Sequence, residues 1–265
     1  MDKKEEKLEV HGNHWNALIK DFDKEMSTVL VKAANNPKSD YLIKPKKDYF
    51  AIIAETKPLS SIILVENQDQ KSVIISSYPF ININNRVELE ITEIEGWGNG
   101  LEAVIHAARE EHIVVSFFDV FYFFNKEKYQ IGKKYIFNLA ALGYSAEEQK
   151  PQEFKMDEGP AAGETFSTKG MTAYLPRNDY RDDFQFSDPV KNTMEKINYN
   201  NTDFLIFPFE LRHAAEDKLA LKFPIYIRKD LFKSILDKGQ DIGGTGWLQG
   251  YLDGTLEKIY IKPKE

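Results

Sequence analysis

The apolar positions of this chain change period twice. Between residues 14 and 34, Trp15, Leu18, Ile19, Phe22, Met26, Val29 and Leu30 recur three or four apart. That is the stripe of an amphipathic helix. Asn13 is placed to cap its start, and "NNP" at 35–37 to stop it. The runs "DYFAIIAET", "SSIILVEN" and "KSVIISS" are short and β-branched, and "KPL" and "QDQ" divide them. They predict a β-meander. Four longer runs follow: "RVELEITEIE", "LEAVIHAA", "HIVVSFFDVFYF" and "KKYIFNLAALGY". In the first, Val87, Leu89, Ile91 and Ile94 are apolar while Glu88, Glu90 and Glu93 are not, which predicts a strand with one wet face.

Periodicity lapses over residues 150–182, rich in Gly, Pro and acid, and this stretch is expected to be a linker. Four more runs lie beyond it: "TDFLIFPFELRHAA", "KLALKFPIYIRK", "GWLQGYLDG" and "LEKIYIKP". The expected organisation is a charged tail (1–13), a helix and meander (14–83), a first β unit (84–149), the linker, and a second β unit (183–265).

The two β units match each other at an offset of 107. "HAARE" at 106–110 meets "HAAED" at 213–217, Gly132 meets Gly239, and Gly143-Tyr144 meets Gly250-Tyr251. Each unit runs strand, strand, strand, short connector, strand. In that order it resembles the OB-fold, a small Greek-key barrel. The blocks "GWGNGLEAVI", "VSFFDVFYFFNKEKYQIGKKYIFNLAALGYSAE" and "GGTGWLQGYL" are similar to a family of uncharacterised bacterial proteins with OB-like domains. The resemblance implies a mainly β protein of tandem OB-like barrels, and it assigns no catalytic residue. It leaves the first barrel's fifth strand unplaced. Residues 48–77 either complete that barrel or form their own sheet.

Within this frame "GWGNG" is the first turn of the first barrel and "NYNNT" the matching turn of the second. Trp97 and Tyr199 are thus candidate ligand contacts, because an aromatic ring on such a turn can stack on a base. Against that reading, Trp97 is expected to fold back and cap the barrel, and Trp247 to be core. A second candidate patch joins Lys38, Lys44, Lys46 and Lys47 with Tyr41 and Tyr49, basic and aromatic residues interleaved as a single nucleic-acid strand requires.

Charge moves the reading away from nucleic acid. The net charge is −7, and residues 84–149 hold six basic against eleven acidic side chains. A protein partner is therefore favoured over single-stranded nucleic acid. The chain has no cysteine, which excludes disulfides and thiolate chemistry. No apolar run reaches the roughly 20 residues of a membrane span, and "MDKKEEKLEV" has no secretory core, so a cytoplasmic protein without a membrane partner is expected.

Candidate chemistry is sparse. His106 and His112 are predicted at a hairpin tip, where polar residues need no metal, and Asp179, Asp182, Asp183 and Asp188 as charges of a solvated linker. Asp119, in "SFFDVFYF", is expected to sit where its strand frays into water; buried, it would be an acid/base candidate. Gly243, Gly244 and Gly246 are expected to allow a bend or bulge in a strand. No catalytic set, cofactor loop or metal site emerges. The expectation is a non-enzymatic binding or adaptor protein, with a nucleic-acid-binding protein as the alternative and an enzyme centred on Asp119 behind it.

Overall fold

The computed structural model describes residues 12–22, 26–27, 40–42, 49–54, 58–68, 71–159, 162–177, 181–191, 194–199, 201–213, 216–233 and 238–260. The protein is mainly β and is dominated by one large mixed sheet. The three N-terminal runs form the expected meander of β2 (Tyr49–Ala54), β3 (Leu59–Gln68) and β4 (Lys71–Ile81), to which β1 (Asp40–Leu42) adds a fourth strand that the pattern does not mark, all antiparallel. It is a sheet of its own, so residues 48–77 complete nothing else. The predicted helix begins as α1 (Gly12–Leu18). It stops well short of residue 34 because Arg228 draws in the carbonyls of Asn16 (3.0 Å) and Ile19, acceptors that a last helical turn leaves free. Residues 22 and 26–27 are helical again, and the rest of the predicted helix falls outside the described residues.

The first repeat supplies β5 (Arg86–Gly96), β6 (Ala103–Arg109), β7 (Ile113–Asp119), a helical connector α2 (Tyr122–Asn125) and β8 (Lys134–Gln149). The interval between the repeats holds a small ribbon of β9 (Glu153–Lys155) and β10 (Thr165–Ser167), then β11 (Ala173–Pro176). The second repeat supplies β12 (Asp183–Pro189), β13 (Glu195–Tyr199), β14 (Thr202–His213), β15 (Glu216–Arg228), a 3₁₀ turn (Lys229–Leu231) and β16 (Asp241–Leu252) before α3 (Thr255–Tyr260).

The repeats do not close separately. β5 pairs with β6, β6 with β7, β7 with β16, β16 with β8, and β8 with β5. β16, the last strand of the second β unit, thus pairs with two strands of the first. The second repeat borrows in return, because β15 runs parallel to β8 just as β7 runs parallel to β16. Between β8 and β16, antiparallel, Ala141 faces Leu248, flanked by the pairs Leu142–Trp247 and Ala140–Gln249. Ala141 and Leu248 are 107 positions apart, the offset of the sequence repeat. A residue that faces its own counterpart marks a local two-fold axis.

The recurring Gly-Tyr follows from this join. A methyl group on Gly143 would run into the Ile227 side chain of β15; one on Gly250 would lie 2.6 Å from Leu139 and 2.9 Å from Phe117. Gly143 therefore lets β8 close on its parallel partner β15, and Gly250 lets β16 close on both β8 and β7. Tyr144 reaches the start of β12, and Tyr251 the chain three residues before β5. Tyr251 donates to the carbonyl of Ile83 (2.5 Å), and Tyr144 to Asp183 (2.7 Å). The register shift opposite Thr245 and Gly246 leaves Tyr144 of β8 as the extra residue, so the bulge is on β8, not on the glycine-rich strand; Gly244 and Gly246 instead let β16 lie close to the Ser145 and Leu142 carbonyls.

Alternation along the strands makes two cores. One face of both repeats shares an interior built on Ile105, Val115, Phe117, Leu139, Phe223 and Leu248. The other face of β7, β8 and β16 carries Phe118, Leu142 and Trp247, and α1 and the meander cover it. Trp247 is fully buried, as expected. His14 of α1 stacks on it at 3.8 Å, while Trp15 donates to the Ser77 carbonyl (2.9 Å), Tyr78 to that of Val120 (3.0 Å), and the Ile81 amide to Gln249 (2.9 Å).

Candidate functional site

The opening turn of the first repeat is tightly braced. Glu102 accepts from Ser76 of the meander (2.8 Å) and from Asn99, and Asn99 accepts from the amides of Leu101 (2.9 Å) and Glu102 (3.2 Å). The Trp97 amide donates to the Glu102 carbonyl (2.8 Å) and Gly100 adopts φ +67°. Trp97 leans on Phe118, ring centres 5.4 Å apart. Its indole is half-buried against the covered core rather than mostly buried. Tyr199 and Tyr49 are half-buried against the same core. Tyr41 lies in β1, and Lys38, Lys44, Lys46 and Lys47 lie outside the described residues.

Several residues expected at the surface are inside. His106 is not at the hairpin tip, which Glu110 and Glu111 form with φ of 48° and 63°. It is buried in the middle of β6, directly opposite Ser116 of β7. Its Nδ1 lies 2.7 Å from Ser116 Oγ and its Nε2 3.3 Å from Glu95 of β5. An acid, an imidazole and a hydroxyl thus line up across three strands. The sequence search missed the row because it looked for catalytic order along the chain, whereas the pleat assembles it sideways. Ser116 lies inside a strand with a buried side chain, not on the exposed turn that presents a nucleophile.

Asp119 is fully buried, not solvated at a fraying end. It accepts from Tyr129 (2.5 Å) and from the Phe121 amide (3.0 Å), so it pins the connector that follows β7. Burial pushes its carboxyl up to about 7, and the two hydrogen bonds pull partly the other way. Asp182, Asp183 and Asp188 are also buried rather than linker charges. Burial, then the neighbouring Asp183, pushes Asp182 up to about 7, although Trp247 donates to it at 2.8 Å. Asp188 accepts from Thr172 (2.6 Å), and Asp241 takes the Gly170 amide (2.9 Å). The interval between the repeats is therefore anchored at its C-terminal end.

One open cleft of about 430 Å³ lies where β5, β8 and β16 meet α3. Arg86 and Asn138 both bond Asp253 there, at 3.0 and 3.1 Å. Among the described residues, no group of three or more acids or histidines is placed to hold a metal ion, and no helix is long and apolar enough to cross a membrane.

The apolar surface is uneven. Among the described residues, five of the eleven exposed large hydrophobic ones (Phe154, Met156, Phe166, Met171 and Leu175) fall between positions 154 and 175. Three of them belong to the β9–β10 ribbon or its immediate continuation, outside both sheets. No protein-family model, curated protein or solved structure matches this chain.

Proposed function

We propose that this chain is a non-enzymatic binding protein of the adaptor kind, in which two interlocked OB-like barrels form the scaffold that engages a protein partner. The closed circuit β5–β6–β7–β16–β8, with a helical connector between its third and fourth strands, supports the OB-like reading. The observation that carries the binding reading is the apolar ribbon held out from a scaffold whose own chemistry is spent internally. Asp119 holds Tyr129, Asp182 holds Trp247, and His106 holds Ser116. Trp97 and Tyr199, the rings a nucleic-acid strand would need, rest on the core.

The test is affinity capture from the source cells with and without nuclease, comparing the natural chain with a Phe154→Ser, Phe166→Ser variant. A bound protein that survives nuclease and is lost with the variant supports the proposal. Capture of nucleic acid alone, or of a protein that the variant binds equally well, overturns it.

A further inference from the structure

The ribbon's register defines what covers it. Phe154 faces Phe166, Lys155 faces Thr165, and Glu153 faces Ser167. The Met156 amide bonds the Glu164 carbonyl (2.9 Å) and Thr168 bonds Gln152 (2.9 Å), so the ladder extends one rung each way. Side chains alternate across the pleat. One face therefore carries Phe154, Phe166 and Met156 with Glu164; Lys155, Thr165, Glu153 and Ser167 point the other way. Phe154, Phe166 and Met156 are 48%, 47% and 42% exposed. A two-stranded ribbon is marginal alone in water, and this one carries three large apolar side chains on one face that each stay more than two-fifths exposed.

The rim is acidic. Glu164 shares the apolar face, Asp157 and Glu158 follow Met156 directly along the chain, and Lys155 is on the back. Resting on the protein-binding reading above, we infer that the ribbon's Phe154–Phe166–Met156 face takes a cationic segment of a partner protein, with apolar side chains over the two rings and Lys or Arg against Asp157, Glu158 and Glu164. A second copy of this chain fits poorly, because it would bring the same acidic rim against itself within a chain of net charge −7.

The probe is a capped peptide of alternating leucine and lysine, compared with one of alternating leucine and glutamate, by fluorescence anisotropy on the full chain. The lysine peptide is expected to bind, to weaken as salt is raised, and to lose about tenfold or more in affinity with either Phe154→Ser, Phe166→Ser or Asp157→Lys, Glu158→Lys. Equal binding of both peptides, or indifference to both variants, overturns the inference. So does a dimer in sedimentation that the phenylalanine variant dissociates, which would give the ribbon to a second copy. If the lysine peptide fails while cell capture still yields a nuclease-resistant protein lost with the phenylalanine variant, the partner's chemistry is wrong and the protein-binding reading stands. If both fail, both fall.

Discussion

At one equivalent position the repeats differ completely. Phe118 lies beside Gln249, and Tyr226 beside Leu142; Leu142 and Gln249 are 107 positions apart, Phe118 and Tyr226 108. Two pairs further along each hairpin, the first repeat sets His106 against Ser116 and the second sets Pro208 against Pro224. His106 also faces Glu93 on its other side, whereas β13 stops pairing with β14 at Ile206 and β8 stops pairing with β15 at Ile225, short of both prolines. Proline has no amide to give and survives in a sheet only where no second strand asks for one. The same fold position is thus a three-strand polar row in one repeat and the end of sheet pairing in the other.

Exchanging the two residue types breaks the comparison most sharply. His106→Pro is expected to cost about 3 kcal/mol or more, since it removes a ladder donor and the buried row together. Pro208→His, at an exposed position, is expected to change stability by less than about 0.5 kcal/mol. Denaturant unfolding of both variants measures the difference, and equal costs would mean the positions are not distinguished by their neighbours.

A smaller effect is expected where the repeats agree. Gly143→Ala and Gly250→Ala each force a methyl group into a closed parallel pair, for about 1–3 kcal/mol apiece. Thermal unfolding of the two single variants checks it. A cost at one site alone would show that only one of the parallel pairs is close.

An effect that depends on pH sharpens the account of Asp119. Its carboxyl is raised from an ordinary value near 3.8 to about 7. The protonated form is therefore favoured by folding, so its contribution is full below about pH 4, is lost as pH rises toward 7, and is flat above that. Relative to the natural chain, Asp119→Asn is expected to gain stability progressively between about pH 4 and pH 7. Melting temperatures across that range measure it, and a gap that does not vary with pH would mean Asp119 titrates normally.

Much of this architecture was legible in the residues. The meander followed from β-branched runs and their breaks, and the two Gly-Tyr pairs fall in β8 and β16, strands that pair with each other. The matching histidines did not. His213 faces Glu216 at the end of β14, after a bulge, and Pro208 occupies the place of His106. The closing strand was invisible because β16 joins a circuit opened some 150 residues earlier, and no local pattern records a distant neighbour. Asp119, Asp182 and Asp188 were misread for a related reason. A short acid in a β-rich run looks solvated until its partners, Tyr129, Trp247 and Thr172, are brought to it. The ribbon lay hidden in a stretch whose composition resembles a linker.

The central claim is that the two repeats are one interlocked scaffold, joined where β8 lies against β16. Ser145 and Thr245 face each other across that join, hydroxyl oxygens 3.0 Å apart, in a chain that has no cysteine. Mild oxidation of a Ser145→Cys, Thr245→Cys variant, followed by intact mass and peptide mapping, reads the join directly. The account predicts a single intramolecular disulfide formed nearly completely, with a raised melting temperature, since the bridge closes a loop of about 100 residues. Free thiols after oxidation, or bridges only between chains, would contradict it.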